Sequence, residues 1–150
     1  MNQYTISKGQ KLSDIMPEIE PNINLAKKFP GVGATYLEIH SHRPSILIEP
    51  NVPVIQGKCA KSDDDFKLFG VYEGVSIDAI TRYLQEPNPY HKLMTTPESF
   101  GKVKNACSGI DIYNHFFLLM DECHQLIKDV DYRTDIVLPC LLYTSPSPRD

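Results

Sequence analysis

Phe116-Phe-Leu-Leu-Met-Asp-Glu-Cys-His124 is the stretch that decides how this chain folds. Five apolar residues run together without alternation and end at an acidic pair. A run apolar on both faces suits a central strand of a parallel sheet that helices cover on each side. Parallel sheets bind ligands beyond the carboxyl ends of their strands, and Asp121 and Glu122 fall there. Adjacent carboxylates at such a place can divide the work of phosphate-anhydride hydrolysis. One holds Mg2+, and the other orients or deprotonates the attacking water. Read alone, the pair can equally cap the following helix, where negative charge is favoured.

Working outward, Ser45-Ile-Leu-Ile-Glu49, Leu68-Phe-Gly-Val-Tyr72 and Lys92-Leu-Met-Thr95 are further compact apolar runs, and residues 23–26 are a weaker one. Helical patterns separate them. One covers residues 34 to about 41. A second covers residues 76–84, with Ile77, Ile80 and Leu84 at helical spacing. A third opens at Thr96-Pro97, where threonine can cap and proline suits the first helical position, and continues through Phe100, Val103 and Cys107. A fourth is expected after His124. This alternation predicts an α/β doubly wound fold with a parallel sheet and flanking helices. Lys61-Ser-Asp-Asp-Asp65 reads as a polar loop, and Gly70 and Gly74 as bends.

Upstream lies Pro30-Gly31-Val32-Gly33-Ala34-Thr35. Glycines let backbone N–H groups approach phosphates, and a helix start favours the negative charge. The Thr35 hydroxyl would be a metal ligand. The usual phosphate-loop pattern places Lys where this chain has Ala34, and Gly where it has Lys28. An ordinary glycine turn explains the loop as well. Lys27 and Lys28 sit just before it, and Lys28 is the better candidate to reach the phosphates in place of the missing lysine. The loop precedes the acidic pair by roughly 90 residues, room for the intervening strand–helix units of a nucleotide-binding sheet.

The 150 residues suffice for one domain with a real core. A net charge of -4 gives no general attraction for nucleic acid, so any such contact must be local. No apolar run reaches the roughly 18 residues that cross a bilayer, and the start lacks the apolar centre of a signal peptide. The expectation is a cytoplasmic protein without a membrane partner. The four cysteines include no CxxC pair, which argues against a disulfide framework or zinc site. The tail Cys140-Leu-Leu-Tyr-Thr-Ser-Pro-Ser-Pro-Arg-Asp150 resembles one reading frame of a sequencing-library adapter. On that reading residues 1–21 are a lead-in, 22–139 a partial domain, and 140–150 a non-native tail, with the natural protein continuing past Pro139.

Taken in order, GVGAT, Ser45-Ile-Leu-Ile-Glu-Pro-Asn51, Leu93-Met-Thr-Thr-Pro-Glu-Ser99 and Met120-Asp-Glu-Cys-His124 resemble the first motor domain of superfamily-two helicases, the DEAD/DEAH-box-like group. The resemblance spans residues 22–139 and is nearest to a divergent branch of phages and mobile elements. It implies a P-loop NTPase (RecA-like) domain, truncated at its C-terminus, that uses ATP and Mg2+. Gly31, Gly33 and Thr35 match the phosphate loop, Val32 and Ala34 lie within it with Ala34 in the place of the family's lysine, and Lys28 is the substitute cation. Thr35 and Asp121 match the metal-binding positions, Glu122 the water-activating acid, and His124 the residue coupling nucleotide state to nucleic acid. Pro50, Asn51, Thr96, Pro97 and Glu98 match nucleic-acid backbone contacts, DNA being favoured over RNA. The resemblance also implies a second motor domain of the same chain, and with it the arginine finger. The alternatives are a non-catalytic nucleic-acid-binding module with a decayed nucleotide site, or another P-loop NTPase such as a packaging motor.

The remaining candidates read as structural. His40, His42 and Arg43 suit a solvated helix end better than a phosphate contact. His91 and His115 suit surface or packing positions. Tyr72, Tyr83, Tyr90 and Phe100 suit core or groove-edge positions rather than base-stacking platforms. Cys123 lacks partners for a nucleophile, and Thr96 and Ser99 suit a helix start as well as a phosphate contact.

Overall fold

The computed structural model describes residues 9–20, 33–62 and 66–120. Residues 23–26, the helix expected after His124 and the tail lie outside the described residues. In chain order the elements are α1 (Ala34–Ile39), β1 (Ser45–Ile48), α2 (Val52–Ala60), β2 (Leu68–Val71), α3 (Ile77–Gln85), β3 (Lys92–Thr95), α4 (Phe100–Ala106), α5 (Ile112–His115) and β4 (Phe117–Met120). Short 3-10 turns occupy Leu12–Asp14 and Pro97–Ser99. The sheet is four-stranded and wholly parallel, in the order β2-β3-β1-β4. Each apolar run outside residues 23–26 becomes a strand, and the expected α/β class with flanking helices is what forms.

The register is even. Ser45 stands level with Lys92 and Phe117, and Ile48 with Thr95 and Met120. Val71 of β2 is level with Thr95. The strands therefore begin along one line, the amino edge, and end along another, the carboxyl edge. β1 and β3 are buried along their whole length, as middle strands must be. β2 and β4 lie at the margins of the described sheet and are partly covered. The Phe117–Met120 run thus occupies a margin among the described residues, not the middle.

Successive strand residues point to opposite faces. Ile46, Ile48, Val71, Leu93 and Leu118 meet Ile80, Tyr83, Phe100, Val103 and Ile112 from α3, α4 and α5 on one side. Leu47 and Met94 meet Ile39 of α1 and Ile55 of α2 on the other. On that second side Ala34 and Leu37 also pack with Leu12, Met16 and Ile19, with Phe117 and Leu119 of β4 against them. The result is three layers.

Local chemistry sets the helix boundaries. The Ser76 side chain accepts from the Ala79 N–H at 3.1 Å and starts α3. The Thr96 hydroxyl accepts from the Ser99 N–H at 3.3 Å and starts the turn that leads into α4. α2 has no such cap and buries only Ile55. It lies on β2 because Gly70 has no side chain: a Cβ there would stand 2.9 Å from Ile55 Cγ2 and 3.2 Å from Cys59 Sγ.

Gly70→Val should therefore cost about 1–3 kcal/mol of stability through overpacking. Gly101→Ala, in α4 with nothing within 4 Å of the new methyl, should stabilise by about 0.5–1 kcal/mol. Denaturant midpoints of the two variants check the pair.

Candidate functional site

The carboxyl edge collects the ends of β1, β3 and β4. Beyond β1, the Asn51 N–H donates to Glu49 Oε1 at 3.1 Å, and the Glu49 N–H donates to the Thr95 carbonyl at 2.9 Å. The latter extends the β1–β3 pairing past the strands. Beyond β3, the Thr96 N–H donates to the Val71 carbonyl at 3.1 Å. Thr96 and Pro97 are buried, and the Thr96 hydroxyl serves its own turn. Asn51 and Glu98 are exposed and Pro50 is half-buried. Of the expected nucleic-acid contacts, then, the accessible side chains are those of Asn51, Pro50 and the acidic Glu98. Beyond β4, Asp121 follows Met120 directly in sequence. Asp121, Glu122 and His124 lie outside the described residues, as do Lys28, Gly31 and Val32.

Three of the phosphate-loop positions are described. Gly33 caps α1 at a φ of 87°, a left-handed conformation that glycine adopts freely. Thr35 is buried. Ala34 is buried among Leu12, Met16 and Leu37. The small residue where the pattern has lysine is thus a packing residue beneath the N-terminal segment. Lys11 of that segment runs its stem past Gly33, with Cδ 3.7 Å from where a glycine Cβ would stand.

The amino edge carries a different chemistry, which sequence reasoning missed. Glu38 and Lys92 are both fully buried. The Glu38 carboxylate accepts from the Ser41 hydroxyl at 2.7 Å, from Arg43 Nε at 3.0 Å, and from the Ser45 hydroxyl and Arg43 Nη2. The Lys92 ammonium donates to the Arg43 carbonyl at 2.6 Å, the Ser41 hydroxyl at 2.8 Å and the Glu38 carbonyl at 2.9 Å. It stands 3.9 Å from the Glu38 carboxylate. Burial pushes the ammonium down to about 8, while the Glu38 charge opposes that shift.

Arg43 departs from the expectation of a solvated helix end. It clamps Glu38, donates to Glu18 at 3.0 Å and to the Ile19 carbonyl at 2.7 Å, and stacks 3.5 Å over the Phe117 ring. A buried carboxylate and an aromatic face together hold it against the fold, with its side chain 18% exposed. Tyr83 is a core residue: its hydroxyl accepts from the Lys92 N–H at 2.8 Å and donates to the Lys67 carbonyl at 2.6 Å. His91 bonds the Glu86 carbonyl at 3.0 Å, and His115 packs edge-on to Phe116.

A cleft of about 280 Å3 lies off the amino side, lined by Leu84, Asn88, His91, Ile110 and His115 among others. It holds no acid, so it offers no carboxylate for metal or water. Among the described residues, no group of three or more His, Cys, Asp or Glu stands close enough to hold a metal ion. No helix among them is long and apolar enough to cross a membrane. No family model, curated protein or solved structure matches the chain.

Removing the Glu38 carboxylate leaves Lys92 and Arg43 buried without it, so Glu38→Ala should cost about 3–5 kcal/mol. Lys92 predicts a pH signature. Its folded value near 8 lies below the unfolded 10.5, so between them the unfolded chain binds the extra proton. Stability should then rise with pH across that window relative to Lys92→Met, and be parallel to it below about 8. Denaturant titrations of both proteins across the window check the sign.

Proposed function

We propose that this chain is the front part of the ATP-binding domain of a nucleic-acid-dependent motor of the helicase class. The observation that carries the reading is the level carboxyl edge. Ile48, Thr95 and Met120 end side by side on adjacent parallel strands, which are spaced about 4.8 Å apart. The segments that follow them are the ones the resemblance assigns to nucleic acid, at Pro50–Asn51 and Thr96–Pro97–Glu98, and to hydrolysis, at Asp121–Glu122. A RecA-like P-loop domain uses its sheet in this way, with ligands beyond the carboxyl ends.

In this reading Gly31, Gly33 and the intervening backbone cradle the phosphates, and Lys28 supplies positive charge. Thr35 and Asp121 would hold Mg2+, since a hydroxyl and a carboxylate are the hard oxygen donors that ion prefers. Bound there, Mg2+ would neutralise charge developing on the transferred phosphoryl group. Glu122 takes the proton of the attacking water. His124 relays nucleotide state to the strand bound at Asn51. The second motor domain, and the arginine it contributes, completes the site.

A second reading, a nucleic-acid-binding module with a decayed nucleotide site, is favoured by one observation. Ala34 is built into the core beneath Leu12 and Met16, where the pattern has a phosphate-binding lysine.

The test is ATP hydrolysis by the full-length protein with and without single-stranded DNA. Hydrolysis should rise with DNA and fall at least about 100-fold in Glu122→Gln, with ATP binding retained. The 150-residue chain alone should turn over little. Hydrolysis untouched by Glu122→Gln would contradict the assignment, and DNA binding without nucleotide binding would favour the second reading.

A further inference from the structure

We infer that Glu49 is a positioning residue for nucleic acid, an inference that rests on the nucleic-acid reading above. Its buried carboxylate pins the Asn51 backbone so that the Asn51 amide meets a phosphate of the bound strand. Glu49 follows β1 directly and is only 4% exposed. Taking a carboxylate out of water costs free energy that its hydrogen bonds must offset. One of those bonds reaches forward along the chain: Glu49 Oε1 accepts from the Asn51 N–H at 3.1 Å. The Glu49 N–H donates to the Thr95 carbonyl at 2.9 Å, which fixes Glu49 to the neighbouring strand. Pro50 stands between the two residues, and its ring sets its own φ.

The Asn51 backbone is held on both sides. Glu49 takes its N–H, and its carbonyl accepts at 3.2 Å from the N–H of Ile55, the buried residue of α2. An asparagine at the start of a helix ordinarily turns its side chain back onto the N–H of the second or third helical residue. Here the second residue is Pro53, which has no N–H, and the Asn51 side chain makes no cap bond. An exposed amide thus stands on a backbone fixed before any ligand arrives. Asparagine side chains bond nucleic-acid phosphates, and such contacts position the strand without reading its sequence. A contact group already held in place loses little freedom on binding. The sign of the effect is diagnostic. On charge alone, removing an acid beside a phosphate path should tighten binding. Positioning through Asn51 predicts weaker binding.

The experiment measures the affinity of the full-length protein for a fluorescently labelled single-stranded oligodeoxythymidine. Glu49→Ala should weaken binding about 2- to 12-fold, the size of the one hydrogen bond it positions, and no more than Asn51→Ala does. Glu49→Gln keeps an acceptor oxygen and should bind as the wild type does. Glu49→Ala added to Asn51→Ala should cause no further loss, because no amide is left to position. Glu49→Met, which fills similar space without an oxygen, takes the place of the alanine variant if that one does not fold. Tighter or unchanged binding in Glu49→Ala would overturn the positioning role and leave the nucleic-acid reading standing. So would an equal loss in Glu49→Gln, or a full further loss in the double variant. Wild-type protein that binds no DNA would overturn that reading and this inference together.

Discussion

The carboxylate of Glu38 is the point on which the rest of the fold is hung. A charge with no water access costs several kcal/mol unless it is paired and hydrogen-bonded. Glu38 meets that demand with Ser41, Ser45, Arg43 and the nearby Lys92. Ser41, Arg43 and Ser45 follow Glu38 closely in sequence, and Lys92 comes from a distant part of the chain. Ser45 opens β1 and Lys92 opens β3, directly opposite in the register. Arg43 reaches on to Glu18 and the Ile19 carbonyl, tying the N-terminal segment to the same point. A one-residue slip of either strand would turn Ser45 or Lys92 to the other face and strand the carboxylate. The cluster thereby fixes the amino edge, and with strands of equal length it fixes the carboxyl edge too.

This arrangement gives the sheet a polarity of function. At the amino edge, charged groups are spent on one another in a closed network. At the carboxyl edge, the backbone is tied down by the Glu49 to Thr95 and Thr96 to Val71 bonds while Asn51 and Glu98 face water. Rigid backbone with accessible side chains is what a binding edge needs, and a closed ion cluster is what a structural edge needs. The two faces of the sheet are ordinary apolar packing, so the difference between the edges is the informative one.

The strands were legible because a fully buried parallel strand shows itself as an unbroken apolar run. α3 was legible from the helical spacing of Ile77, Ile80 and Leu84, and the turn leading into α4 from Thr96, whose cap is local. α2 was not. Val52-Pro-Val-Ile-Gln-Gly-Lys-Cys-Ala60 gathers its apolar residues on no single face, and a contact with Gly70 holds it, which no local pattern announces. α5 is a single turn started by Asp111 and too short for a periodic signal. The Glu38–Lys92 pair is separated by more than 50 residues, and nothing local to Lys92-Leu-Met-Thr95 marks its ammonium as a partner for a buried acid. Arg43 was misplaced in part for the same reason: Glu38 is near in sequence, but Glu18, Ile19 and Phe117 are distant. At the candidate site the departure at Ala34 was visible in the sequence. Its cause, packing under Leu12 and Met16, needed the fold.

Amide hydrogen exchange of the full-length protein, with and without ATP–Mg2+ and single-stranded DNA, tests the central claim that function lies on the carboxyl edge. The account predicts slowed exchange at residues 33–37 with nucleotide and at residues 49–51 and 96–99 with DNA. Slowing confined to the amino-side segments at residues 86–91 and 107–116, with none at the carboxyl edge, would contradict it.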